Sequence, residues 1–280
     1  MTLRSPGMEP RSVVVGIVLY APDDRLLPRL ALVASAGFDL FIYDNTPQDS
    51  RVRIACEALP QTHYVSSGRN AGLGVGIACL CARAFEHGAD ALLFFDQDTV
   101  FDASTLAHVR AYHAARPDIA GTHSVVVFKA RPAGVPMDDP FATHNVRFAI
   151  SSGSLFFLPN AKRIGWHNAS YFVDCVDYEF CLNSSNHGLR IAESATAPGL
   201  DHESEQADLT YMVLGRRMRL RRYASSRITD TVQASLRILV TAARHGNGPY
   251  VYAISKSLVG YAWFQVLCRL LPRASARHDT

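Results

Sequence analysis

Three short runs, Val13–Tyr20, Phe38–Tyr43 and Ala91–Phe95, are built mostly from Val, Ile, Leu, Phe and Tyr. Each has the length of a strand, and each ends in a turn signal or an acid: Tyr20-Ala21-Pro22, Asp44-Asn45 and Asp96. A strand that is apolar on both alternating faces must be covered on both, the condition of a parallel sheet between helical layers. The residues between the runs supply the helices. Leu26, Leu27, Leu30 and Val33 recur at helical spacing, and Gly72–His87 reads as helical. A short helix near 50–58 and a short strand over 62–65 complete this half. The expected class is α/β, with a Rossmann-like, mostly parallel central sheet and helices on both faces. Such sheets bind ligands where strands end, so the polar residues closing the runs are candidate site residues.

Further on, 119–128 reads as a strand, Lys129–Pro140 as an exposed loop, Phe148–Leu158 as a strand and Asp174–Gly188 as a helix. From about Asp208 the pattern is helical to the end, broken by Gly246-Asn247-Gly248-Pro249. The expected organisation is a tail over 1–11, a catalytic domain over 12–207 and a C-terminal helical extension over 208–280.

Charge divides the same way. Residues 1–210 carry 16 Lys+Arg against 23 Asp+Glu, whereas residues 211–280 carry 12 against 2. A basic C-terminal region on an acidic body suits an anionic membrane surface, or packing in a homo-oligomer. Nucleic acid is disfavoured, because the basic region lacks interleaved aromatics. Tyr250–Leu271 is apolar and long, but Lys256, Gln265 and Arg269 favour a buried or interfacial helix over a span. Met1–Pro10 has no apolar signal core, and the six cysteines (56, 79, 81, 175, 181 and 268) form no CxxC pair. Free thiols and a cytoplasmic place, peripheral to the membrane's inner face, are expected.

Asp96-Gln97-Asp98 is the sharpest chemical signal. Two carboxylates two residues apart at a strand end can share a hard divalent cation such as Mg²⁺ or Mn²⁺; an acidic turn or helix cap has the same sequence. Asp44-Asn45 can bind a ribose or base, or form an Asx turn. Arg69-Asn70-Ala71-Gly72-Leu73-Gly74-Val75-Gly76 is neither a GxGxxG nor a P-loop, and suits either an anion or close helix–sheet packing. Asp174, Asp177 and Glu179 crowd a helix start, where the dipole favours acids and where one could act as a general base. His202 can complete a metal shell. The other histidines, His63 and His87 among them, show no metal-ligand spacing.

In this order the motifs resemble family 2 glycosyltransferases, and most of all the bacterial rhamnosyltransferases that use dTDP-rhamnose. Leu93–Asp98 is similar to their "l-x-l-D-Q-D" segment, Ile150–Leu155 to "I-T-S-G-S-L", and Tyr171–Leu182 to "l-F-I-D-x-V-D-x-E-W-c-l". His202 matches a late histidine of the family. The resemblance covers about residues 12–205. It implies a GT-A fold, a nucleoside diphosphate sugar donor, Mg²⁺ or Mn²⁺, a saccharide or lipid-linked acceptor, and an inverting displacement. On it, Tyr20, Asp44, Asn70 and Asp96 would bind the donor, and Gly153 and Ser154 would lie near the donor or acceptor sugar. Asp98, with Asp96 and His202, would hold the metal; Asp177, or else Glu179, would be the base. Three positions depart from the pattern: Ala21 replaces an Asn, Asn183 an Arg, and Glu203 a Gly. They leave room for a second reading, a non-catalytic protein of this fold that binds a nucleotide sugar or a partner.

Overall fold

A computed structural model describes residues 13–48, 50–130, 139–202, 209–213 and 216–270. The chain forms two compact units, Met1–Glu203 and Ser204–Thr280.

In the first unit the chain alternates as the apolar runs require. β1 (Val13–Leu19), α1 (Leu27–Ser35), β2 (Leu40–Asp44), α2 (Arg53–Glu57), β3 (Thr62–Ser66), α3 (Leu73–Glu86) and β4 (Ala91–Asp96) come first. A two-residue strand β5 (Thr99–Val100) follows, then α4 (Ala103–Ala115), α5 (Pro117–Thr122), β6 (His123–Ala130), β7 (His144–Val146) and β8 (Ser154–Phe157). α6 (Leu158–Arg163), α7 (Val176–Asn186), β9 (Arg190–Ala197) and β10 (Asp201–His202) close the unit.

The central sheet has eight strands in the order β3-β2-β1-β4-β8-β6-β9-β7. β3, β2, β1 and β4 are parallel; β8 runs antiparallel to both β4 and β6, and β7 is antiparallel to β9. Side chains alternate across it. Val15, Ile17 and Leu19 of β1 share a core with Leu26, Leu30 and Val33 near α1 and Leu106, Val109 and Tyr112 of α4. The opposite face takes α3, which packs on β1, β2 and β4. It comes close because Gly76 has no side chain: a Cβ there would lie 2.8 Å from Val18 Cγ2.

Some expectations change. The residues from 119 to 122 belong to α5, because Pro117 starts a helical turn that delays β6 to His123. The strand expected from Phe148 begins at Ser154. Gly153 (φ +74°) turns the chain just before it, and its N–H and C=O bond Phe94 and Phe128. Lys129 and Ala130 still belong to β6; residues 131–138 of the expected loop lie outside the described residues.

The second unit is not helical throughout. β11 (Leu209–Val213) and β12 (Arg216–Leu220) form an antiparallel hairpin before α8 (Ser225–Arg244) and α9 (Gly248–Leu270). Among the described residues no helix is long and apolar enough to cross a membrane. All six cysteines are free.

Candidate active site

β1, β2 and β4 finish side by side, with Leu19 paired to Asp44 and Val18 to Asp96. Asp44 and Asp96 therefore flank the end of β1, two strand spacings or about 10 Å apart. The polar ends of the apolar runs become one rim.

The rim is tied together through Gln97. Its Oε1 accepts from the Tyr20 N–H (2.9 Å) and its Nε2 donates to the Tyr20 carbonyl (3.2 Å). This clamp fixes the Tyr20 backbone beside Gln97, and the Tyr20 side chain is exposed. Ala21 follows in a left-handed conformation (φ +45°) and donates its N–H to Thr46 Oγ1. Ser152 holds the triplet from below. Its Oγ accepts from the Asp96 N–H (3.1 Å) and lies 2.5 Å from Thr99 Oγ1.

Three carboxylates converge here. Burial pushes the Asp96 carboxyl up to about 7, and the negative charges of Asp177 and then Asp98 push the same way. Burial also raises Asp177, against the opposing hydrogen bond that it accepts from Ser151 Oγ. Asp177 enters from the first turn of α7, whose start is fixed by Cys175 in a left-handed conformation (φ +65°). A non-glycine residue held there stores strain, which concentrates at functional sites.

His202 returns to this point through the backbone. β10 pairs antiparallel with β5, setting His202 opposite Thr99, the residue after Asp98. The segment before it is pinned to α4: Thr105 Oγ1 donates to Pro198 O (2.6 Å), and a Cβ on Gly199 would overlap the Asp102 carboxylate.

The other expected site residues have hydrogen-bond or packing partners of their own. Asp44 is fully buried; its Oδ1 accepts from the Thr46 N–H and its Oδ2 from Tyr64 Oη, both at 2.7 Å. These bonds fix the Asp44 carboxylate at the rim. Asn70 Oδ1 accepts from the Gly72 N–H, closing its own turn. The glycines after it serve packing, because a Cβ on Gly72 or Gly74 would lie 2.6 or 2.5 Å from the carbonyl of Phe172 or Tyr171. Gly153 is absorbed between β4 and β6, and the buried Ser154 donates to Ile150 O.

Glu179, the alternative candidate for the base, does not face Asp177. Residues two apart on a helix do not face each other, and Glu179 Oε1 accepts instead from Asn168 Nδ2 (3.4 Å). Burial raises its pKa, and its Oε2 has no partner among the described residues. Asn183, standing where the resemblance expects an Arg, donates to Ile164 O (2.8 Å).

Sequence reasoning missed the clamp by Gln97, the bridge by Ser152 and the Tyr64–Asp44 bond. Only Gln97 left a signal, as an uncharged polar residue between two acids at a strand end.

No family model matches the chain, and no curated protein does. Solved structures do. The crystal structure of TarS from S. aureus aligns with a TM-score of 0.53 at 14% identity, over 81% of this chain and 39% of that one. The fold is GT-A. TarS 1-349 in complex with UDP-GlcNAc aligns with a TM-score of 0.50 at 15% identity, over 81% of this chain and 66% of that one. The chain thus spans less than two thirds of either TarS chain.

Proposed function

We propose that the chain is an inverting glycosyltransferase that takes a sugar from a nucleoside diphosphate donor, dTDP-rhamnose first, to a saccharide or lipid-linked acceptor in cell-surface polysaccharide synthesis. The meeting of Asp96, Asp98 and Asp177 at the end of β4 carries this reading. The charges of Asp177 and Asp98 add to burial in making Asp96 costly to ionise, a cost that a divalent cation would relieve. The donor class is supported by the GT-A fold and by a relative crystallised with UDP-GlcNAc; rhamnose rests on the motif resemblance alone.

The residue types suit a metal. Asp98 and Asp96 are hard oxygen donors, and His202 lies on the neighbouring strand. Bound there, Mg²⁺ or Mn²⁺ would neutralise the diphosphate leaving group. The chain's own residues do the rest. Asp177, raised by burial and held by Ser151, accepts the proton of the acceptor hydroxyl. The freed oxygen bonds the anomeric carbon from the face opposite the diphosphate, and the bond to the diphosphate breaks. Tyr20, locked by Gln97, offers a ring for the base or ribose to stack on.

The second unit fits docking on an anionic membrane. Tyr252, Val259, Trp263, Val266 and Leu270 are exposed on α9. At 100° per residue they form one stripe, and the unit has an excess of Arg.

The test is donor binding and hydrolysis across a panel of nucleotide sugars, with Mg²⁺ or Mn²⁺ and then with EDTA. The proposal expects metal-dependent turnover of one donor, lost in Asp98→Ala. Donor binding without any turnover, with or without acceptors, would favour the non-catalytic reading to which Ala21 and Asn183 point. No binding of any nucleotide sugar would overturn both.

A further inference from the structure

Asp39, His63 and His87 lie far apart in sequence and together in space. Asp39 immediately precedes β2, His63 is the second residue of β3, and His87 caps the C-terminus of α3. Parallel β2 and β3 start at the same edge, and α3 runs back to that edge. The cluster sits at the opposite end of β2 from Asp44, about 16 Å away at roughly 3.3 Å per residue. It is separate from the three carboxylates at the end of β4.

One ligand atom from each of the three lies within 4.8 Å of the others. His87 Nε2 and Asp39 Oδ2 are 3.5 Å apart. Zinc bonds of about 2.0–2.1 Å at a tetrahedral angle put neighbouring ligand atoms roughly 3.3–3.4 Å apart, so this pair stands close to one edge of a zinc tetrahedron. His63 offers the third ligand atom from the partly buried side of the cluster. Its ring is stacked on Phe41 (centroids 4.4 Å, 18°) and meets His87 edge-on at 4.6 Å. All three side chains reach solvent, so an ion can enter.

We propose that Asp39, His63 and His87 bind a divalent transition-metal ion, Zn²⁺ by chemistry, clamping β2, β3 and α3 together. Two imidazoles and one carboxylate are borderline donors that suit Zn²⁺; Mg²⁺ and Ca²⁺ take oxygen shells. Three protein ligands leave a fourth position for water.

The experiment is calorimetric titration of the untagged full chain with ZnCl₂ in excess MgCl₂, together with melting temperature with and without Zn²⁺. We expect one Zn²⁺ bound and a raised melting temperature. His87→Ala and, separately, His63→Asn should each weaken binding by more than about tenfold and abolish the rise, while Asp98→Ala keeps both. His87 is exposed, so its variant should fold, which circular dichroism checks. Zinc binding as tight in His87→Ala as in the parent, or lost only in Asp98→Ala, would overturn the proposal. So would no Zn²⁺ binding at all, which would reduce the cluster to an ion pair beside a histidine. None of these readouts depends on sugar transfer, so the outcome is independent of the proposed activity.

Discussion

Asp177 is the residue on which the proposed chemistry turns. Asp177→Asn keeps the size and the contact to Ser151 but cannot take a proton. We expect turnover to fall about 10²–10⁴-fold with donor affinity retained, measured by single-turnover kinetics beside donor titration. Asp96 makes a separate prediction about stability. Its folded pKa of about 7 stands above the ordinary 3.8. The folded chain therefore binds more protons than the unfolded chain between these values, so this group lowers stability as pH rises from about 4 to 7. In EDTA, Asp96→Asn should remove that slope and melt higher than the parent at pH 8, by an amount on the order of a few kcal/mol. An unchanged pH dependence of melting in the variant would show that Asp96 is not the strained carboxyl. Tyr64→Phe strands Asp44 Oδ2 without its donor and should cost about 1–3 kcal/mol in urea unfolding.

At the scale of elements, the loop before α3 and the segment before α7 are pressed backbone to backbone. Leu73 N–H donates to Phe172 O at 2.5 Å, and Gly74 faces the carbonyls of Tyr171 and Asn168. Gly74→Ala forces them apart. We expect a loss of about 1–3 kcal/mol and, because that segment leads into α7, a drop in turnover as Asp177 shifts. Denaturant unfolding and turnover measured on the same variant check both. These elements also mark how far the sequence could be read. β1, β2, β4 and α3 were legible because long apolar or periodic stretches leave few alternatives. β8 was overextended because Phe148–Gly153 has strand-like residues whose turn is set by contacts to Phe94 and Phe128. The hairpin β11–β12 was missed under its arginines, although alternation and the two-residue spacer Leu214-Gly215 were present. At the site, Asp96, Asp98 and Asp177 stood out as acids in apolar surroundings. The bonds of Asp44 with Tyr64, of Gly153 with Phe94 and Phe128 and of Glu179 with Asn168, and the meeting of His63 with His87, depend on partners 11 to 59 residues away, which no local spacing reveals.

At the scale of the molecule, membrane docking should depend on α9 and on charge together. Trp263→Glu and Leu270→Glu should reduce co-sedimentation with vesicles rich in anionic lipid, and added salt should weaken what remains. Equal binding to neutral vesicles, or no change in the variants, would remove the membrane from the account. The two-residue pairing of β5 with β10 has a temporal consequence. Strands β3, β2, β1 and β4 can assemble from the first hundred residues, yet His202 must travel back across more than a hundred positions to reach Thr99. Contacts of such sequence separation are late and slow to form. During synthesis the parallel half should therefore be in place well before the site is complete, and the chain should become competent to turn over donor only after most of it has been made.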